Sequence, residues 1–228
     1  MSRLRIAGCC LLAFATGLHA ETLGGAELVG ALRSGGYVLV MRHAYSPATP
    51  PDKSAADPEN VSLERQLDAT GRNTAKAMGD AIKRLRIPLG QVFSSPTYRA
   101  METIRLASFG SAKAVAELDI GAQGMTPAGV SDPRATWLRG AVAQRPAPKS
   151  NTVIVTHAPN IVAAFGDSVS GMAEGETFVF RPDGKGGAVL VARVLIEDWP
   201  RLALQPTAAI KHQCGVAPAD LARHSWRL

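Results

Sequence analysis

Two histidines in this chain stand in the same setting. His43 follows the apolar run Tyr37-Val-Leu-Val-Met41 and Arg42, and His157 follows Asn151-Thr-Val-Ile-Val-Thr156. A neutral imidazole is both a nucleophile and a proton carrier near neutral pH. Arg42 puts a fixed positive charge beside His43. Arg99 lies in the first turn of a helix that Ser95-Pro96 is expected to open. A guanidinium grips phosphate or carboxylate oxygens through two parallel N–H bonds, which lysine does not reproduce. The start of a helix adds free backbone N–H groups and a positive dipole end. Each of these residues alone is ordinary. Two histidines at strand ends, two arginines and a helix N-terminus together make an anion box, which packing does not explain.

The elements that must position them can be read from pattern. Residues 37–41 and 151–156 are short, continuous apolar runs, the mark of strands buried on both faces as in a parallel sheet. In open α/β sheets, ligands bind outside the carboxyl ends of the strands. If these two strands are neighbours, both imidazoles enter one crevice. Helices are expected over 26–33, from Leu67 to about 85, over 95–107 and over 132–144. Ala75, Met78, Ile82 and Leu85 share one stripe of the second, and Ser95 is the expected cap of the third. Further strands are expected at 91–94, 115–118, 178–181 and 188–195, the last two joined as a hairpin by Pro182-Asp-Gly-Lys-Gly-Gly187. Residues 46–60 read as a long loop. Strands alternating with helices predict an α/β three-layer sandwich with a mostly parallel central sheet.

The same residues resemble the motifs of the histidine phosphatase superfamily, which includes phosphoglycerate mutases and many acid phosphatases. Val-Leu-Val-Met-Arg42-His43-Ala44 resembles its Arg-His-Gly signature. Leu67-Asp-Ala-Thr-Gly71 with Ala75 is similar to its second block, Ser94-Ser95-Pro96-Thr-Tyr-Arg99-Ala100-Met-Glu102-Thr103 to its third, and Val-Ile-Val-Thr156-His157 to its last. The blocks keep the family order over about residues 37 to 165. The resemblance implies a phosphoglycerate mutase-like fold and no metal or cofactor. It also implies that His43 attacks phosphorus and carries the phosphoryl group, with Arg42, Arg99 and His157 binding its oxygens. The acid-phosphatase branch has an Asp directly after the second histidine; Ala158 stands there. The mutase branch takes a Glu from the segment after the third-block helix. That points to Glu117, with Asp119 as the alternative. Ser46, Thr49, Gln123 and Asn160 are candidate substrate-binding residues. Ala44 replaces the motif glycine, which a negative φ at that position would tolerate.

Composition narrows the setting. The chain has 228 residues, 46% hydrophobic and 19% charged, which suits one domain. Arg3 and Arg5, an uncharged stretch from Ile6 to Leu18, and Ala20 read as a signal peptide cut after Ala20. The domain would then span 21–228, with 206–228 a tail of unassigned structure. Cleavage would take two of the 25 basic residues and none of the 19 acids, moving the formal charge from +6 to +4. It would also remove Cys9 and Cys10, leaving Cys214 with no disulfide partner. Export together with the family resemblance implies a periplasmic or secreted phosphomonoester phosphatase acting on a small phosphorylated substrate, such as an envelope glycan or lipopolysaccharide phosphate. No membrane span is expected after cleavage. No basic block with interleaved aromatics points to nucleic acid. HExxH and G-x-S-x-G are both absent. Two other readings stay open: a phosphohistidine or phosphoprotein phosphatase, and a phosphate-binding module that has lost turnover.

Overall fold

The computed structural model describes residues 22–47, 55–120 and 131–204. Helix α1, Gly25–Ser34, ends at Gly35, whose φ is +76°. A Cβ there would lie 2.5 Å from the backbone nitrogen of Ser150, so only glycine turns the chain into the sheet at this point. Strand β1, Val38–Arg42, buries its four apolar residues completely, as a strand covered on both faces must. Asp68 caps helix α2, Ala69–Arg84, by accepting the Gly71 N–H at 2.8 Å. Strand β2, Leu89–Ser94, helix α3, Tyr98–Ala107, and the two-residue strand β3, Lys113–Ala114, follow. Helix α4, Pro133–Ala143, starts with Asp132 as cap and Pro133 in its first turn. Strand β4, Asn151–Thr156, runs into helix α5, Ala158–Phe165. The hairpin β5, Thr177–Pro182, and β6, Ala188–Val194, precedes helix α6, Asp198–Leu204.

The strands form one sheet in the order β3-β2-β4-β1-β5-β6. The first four run parallel, and the β5–β6 hairpin joins β1 antiparallel. Leu28, Leu32, Met78, Ile82, Ile104 and Trp199 cover one face from α1, α2, α3 and α6. Leu138, Val142, Ile161 and Ala164 cover the other from α4 and α5. This is the expected three-layer α/β sandwich.

Two local expectations change, and two short helices are added. The strand expected at 115–118 is only Lys113–Ala114. Val115 still donates to Ser94 O, but the chain then closes a 3-10 turn at Ala116–Leu118 that drives Leu118 into the core. Helix α3 begins at Tyr98 with Thr97 at the cap position, because the Ser95 hydroxyl takes the Thr97 N–H before the helix starts. Helices α5 and α6 have eight and seven residues, too short to show a helical period in the sequence. The expected signal peptide and the tail with Cys214 lie outside the described residues. Among the described residues, no helix is long and apolar enough to cross a membrane.

Candidate active site

Strand β4 lies between β1 and β2, with Arg42 level with Thr156 and Ser94 level with Val155. The ladders run one residue past the strands: His43 N–H donates to Thr156 O at 3.0 Å and Ser95 N–H to Val155 O at 2.9 Å. His43 and His157 therefore leave neighbouring strands at the same level, their ring centroids 5.2 Å apart. Arg99 reaches between them from α3. Its Nε donates to His43 Nε2 at 3.3 Å and its Nη2 to His157 Nδ1 at 3.1 Å.

These contacts set both tautomers. The carbonyl of Ala44, 2.8 Å from His43 Nδ1, can only accept, so Nδ1 carries the proton and Nε2 holds the lone pair. His157 is the reverse. Its Nδ1 accepts from Arg99, so Nε2 carries the proton and donates to Ser95 Oγ at 2.9 Å. All three side chains are buried, Arg99 completely. Burial, and then the charge of Arg99, holds His43 well below the ordinary histidine pKa. Burial and then the nearby His43 do the same to His157. Arg99 is itself lowered to about 10, first by burial and then by Arg65. The arrangement offers an unprotonated nitrogen nucleophile beside a guanidinium, with Arg42 and Arg65 near enough to act on both imidazoles.

The family model of the histidine phosphatase superfamily (branch 1) matches residues 38–149. The chain belongs to the histidine phosphatase superfamily. The match stops before His157, which the β1–β4 pairing supplies. Among solved structures, the protein histidine phosphatase SixA complexed with tungstate shares the fold. Its TM-score is 0.50 at 16% identity, over 71% of this chain and 98% of that one. A phosphoserine phosphatase of Entamoeba histolytica in complex with phosphoserine aligns with a TM-score of 0.49 at 12% identity, over 69% and 95%. A mycobacterial glucosyl-3-phosphoglycerate phosphatase gives 0.44 at 14%, over 64% and 89%. No curated protein sequence matches the chain.

In this histidine phosphatase the anion box differs from the expected one in its helix. The first N–H of α3, at Tyr98, is taken by Glu64 Oε2 at 2.6 Å, and Glu64 Oε1 accepts from Asp57 N–H at 2.8 Å. This N–H is therefore occupied by a buried carboxylate. The box is built instead from side chains, including two that sequence reading missed. Glu174 is ion-paired with Arg42 and accepts the Ser46 N–H at 2.8 Å. Arg65 lies 3.8 Å from Glu174 and donates through Nε to Ser46 O at 2.8 Å. Arg65 sits two residues before the Leu67–Gly71 block, which was its available signal. Glu174 had none: it is 132 residues from Arg42 and arrives because the segment entering β5 pairs with β1, Gly175 N–H donating to His43 O. Among the described residues, Arg42 Nε and Arg99 Nη1 are buried donors without a partner. Buried N–H groups require acceptors, and a phosphate oxygen is one. Among the described residues, no cluster of three or more His, Cys, Asp or Glu side chains is placed to hold a metal ion.

The remaining candidates fall out as follows. Ala44 is fully buried with a φ outside the left-handed region, and its N–H donates to Thr103 Oγ1 at 3.1 Å. The extra methyl is accommodated. Ser46 is buried, but its hydroxyl donates to Gln66 O at 2.7 Å and so tethers the loop. Asn160 is also fully buried. Its Nδ2 lies 3.0 Å from Leu118 O, Asp119 O and Thr156 Oγ1, so its amide N–H groups hold main chain and are not presented to a ligand. Glu117 is exposed on the 3-10 turn, with no hydrogen bond or ion pair to another described residue. Asp119, half-buried two residues on, is the carboxylate whose charge acts most strongly on Arg99, ahead of Glu64 and Glu174. Thr49 and Gln123 lie outside the described residues.

Proposed function

We propose that this phosphatase hydrolyses phosphomonoesters through a phosphohistidine on His43 Nε2. The observation that carries the reading is the hydrogen bond from His43 Nδ1 to the Ala44 carbonyl, which leaves the Nε2 lone pair facing Arg99. In the first step His43 Nε2 bonds to phosphorus and the ester P–O bond breaks. Arg42, Arg65 and Arg99 take up the charge on the phosphoryl oxygens, and His157 donates to one of them once its proton turns from Ser95. Asp119, rather than Glu117, gives the proton to the departing oxygen. In the second step water bonds to phosphorus, the P–N bond breaks, and Asp119 takes the proton from that water.

The substrate we assign is a small phosphorylated molecule of the cell envelope, such as a glycan or lipopolysaccharide phosphate. The support is the amino-terminal pattern of residues 1–20, which reads as an export signal; export would put the mature chain in the periplasm or outside the cell. A protein phosphohistidine substrate is the second reading, favoured by the fold shared with SixA across nearly all of that chain. A binding module without turnover accounts less well for a deprotonated, arginine-flanked nucleophile.

Leaving-group dependence tests the scheme. Asp119→Asn is expected to lower kcat/KM by about 10²-fold or more for an alkyl phosphate, the usual weight of a general acid, while barely changing p-nitrophenyl phosphate. Glu117→Gln is expected to change neither. The reverse pattern would return the acid to Glu117. Equal losses on both esters would remove Asp119 from proton transfer.

A further inference from the structure

The assignment of Asp119 raises the question of what holds it, since it lies on a turn after a two-residue strand. The turn itself supplies little. Its own main-chain bonds are Leu118 N–H to Val115 O at 3.1 Å and Asp119 N–H to Ala116 O at 3.0 Å, and among the described residues the Asp119 carboxylate accepts from its neighbour Ile120 N–H, at 2.7 Å. The stronger hold comes from the junction of β4 and α5. Asn160, in the first turn of α5 and three residues after His157, places Nδ2 3.0 Å from both Leu118 O and Asp119 O. Thr156, the last residue of β4, donates from Oγ1 to the same Leu118 carbonyl at 2.8 Å, and it accepts from Asn160 at 3.0 Å. Asn160, Thr156 and Leu118 are all fully buried, where hydrogen bonds are not exchanged with water and a lost one leaves a stranded carbonyl. The strand that delivers His157 and the helix it runs into thus also carry the two side chains, Thr156 and Asn160, that fix the backbone of Asp119.

We infer that Asn160 is a positioning residue for the proton donor: together with Thr156 it locks the Leu118–Asp119 main chain to the His157 end of β4, so that the carboxylate and the phosphate-binding imidazole keep a set distance. This rests on the reading of Asp119 as the acid. Asn160 touches neither phosphorus nor the leaving group; it acts through the Leu118 and Asp119 carbonyls, which lie on either side of the Asp119 Cα. A displacement of about 1 Å at a catalytic group is enough to cost about 10²-fold in rate, so a loosened turn should be felt in chemistry before it is felt in binding.

The test compares kcat/KM for p-nitrophenyl phosphate and for an alkyl phosphate in Asn160→Ala, Thr156→Val and Asp119→Asn, with vanadate affinity measured alongside. Thr156→Val keeps the shape of the side chain and removes only the hydroxyl. Asn160→Ala is expected to lose tenfold or more on the alkyl ester and less than twofold on p-nitrophenyl phosphate. Thr156→Val should show the same pattern more weakly, and vanadate affinity should hold in both. Asp119→Asn should show the pattern most strongly, and Asn160→Ala added to it should cost no further leaving-group discrimination. Equal losses on both esters in Asn160→Ala and Thr156→Val, or no loss in either, would overturn the positioning role while leaving Asp119 standing. Absence of leaving-group dependence in Asp119→Asn would overturn the acid assignment itself.

Discussion

A single backbone carbonyl decides the chemistry of His43. Because Ala44 O takes the Nδ1 proton, Nε2 is left with its lone pair, and burial beside Arg99 keeps it unprotonated well below the ordinary histidine range. The acid limb of kcat/KM reports the free enzyme. Once allowance is made for the ester's own ionisation, that limb should lie well below pH 6.5. Activity should persist through pH 6, and a limb at 6.5 or above would mean that His43 is not held in this environment. The residues that carry this behaviour were legible from type and place: histidines and arginines at strand ends and at a helix start. The charges that complete the pocket were not. Glu174 reaches Arg42 through hairpin geometry, which leaves no local period or spacing to read, and Arg65 offered only its place two residues before the Leu67–Gly71 block.

At the scale of elements, Gly71 shows why α2 must come so close to the catalytic strand. A Cβ there would lie 2.1 Å from the Tyr45 carbonyl, two residues after His43. Gly71→Ala must therefore push either α2 or the His43–Ser46 segment aside. Overpacking of this kind costs about 1–3 kcal/mol, and kcat/KM is expected to fall at least tenfold. Gly140→Ala on α4 is the control: a Cβ there meets nothing within 4 Å, so it should be neutral or stabilising by about 0.5–1 kcal/mol. Thermal melts and steady-state kinetics on the two variants check both. The helix-sheet alternation was readable because buried parallel strands leave continuous apolar runs and amphipathic helices carry a strong period. The start of α3 was misplaced because Ser95 spends its hydroxyl on the Thr97 N–H ahead of the helix, and the distant Glu64 takes the first helical N–H, at Tyr98. The turn at Ala116–Leu118 was misread as strand because one ladder bond continues at Val115 before the chain bends away.

For the whole molecule, two buried neutral histidines tie stability to pH. Their pKa values are about 6.5 in an unfolded chain and well below that in the folded one. Between those limits the unfolded state binds more protons than the native state. Stability is therefore full above about pH 7 and is lost as pH falls through 6.5, with a slope that approaches about 1.4 kcal/mol per pH unit for each histidine below that pH. Denaturant titrations between pH 7.5 and 5.5 should show that slope, and His43→Ala should remove about half of it; a flat profile would contradict the burial of both rings in the neutral form. The same buried pair defines the central claim, that His43 Nε2 takes the phosphoryl group. The most direct measurement is rapid alkaline quench of the enzyme turning over a phosphate ester, followed by mass mapping of the modified residue and its isomer. Phosphate on Nε2 of His43, absent from His43→Ala, is the predicted result. Phosphate on Nδ1, on His157, or on no residue while ester is being hydrolysed would contradict the account.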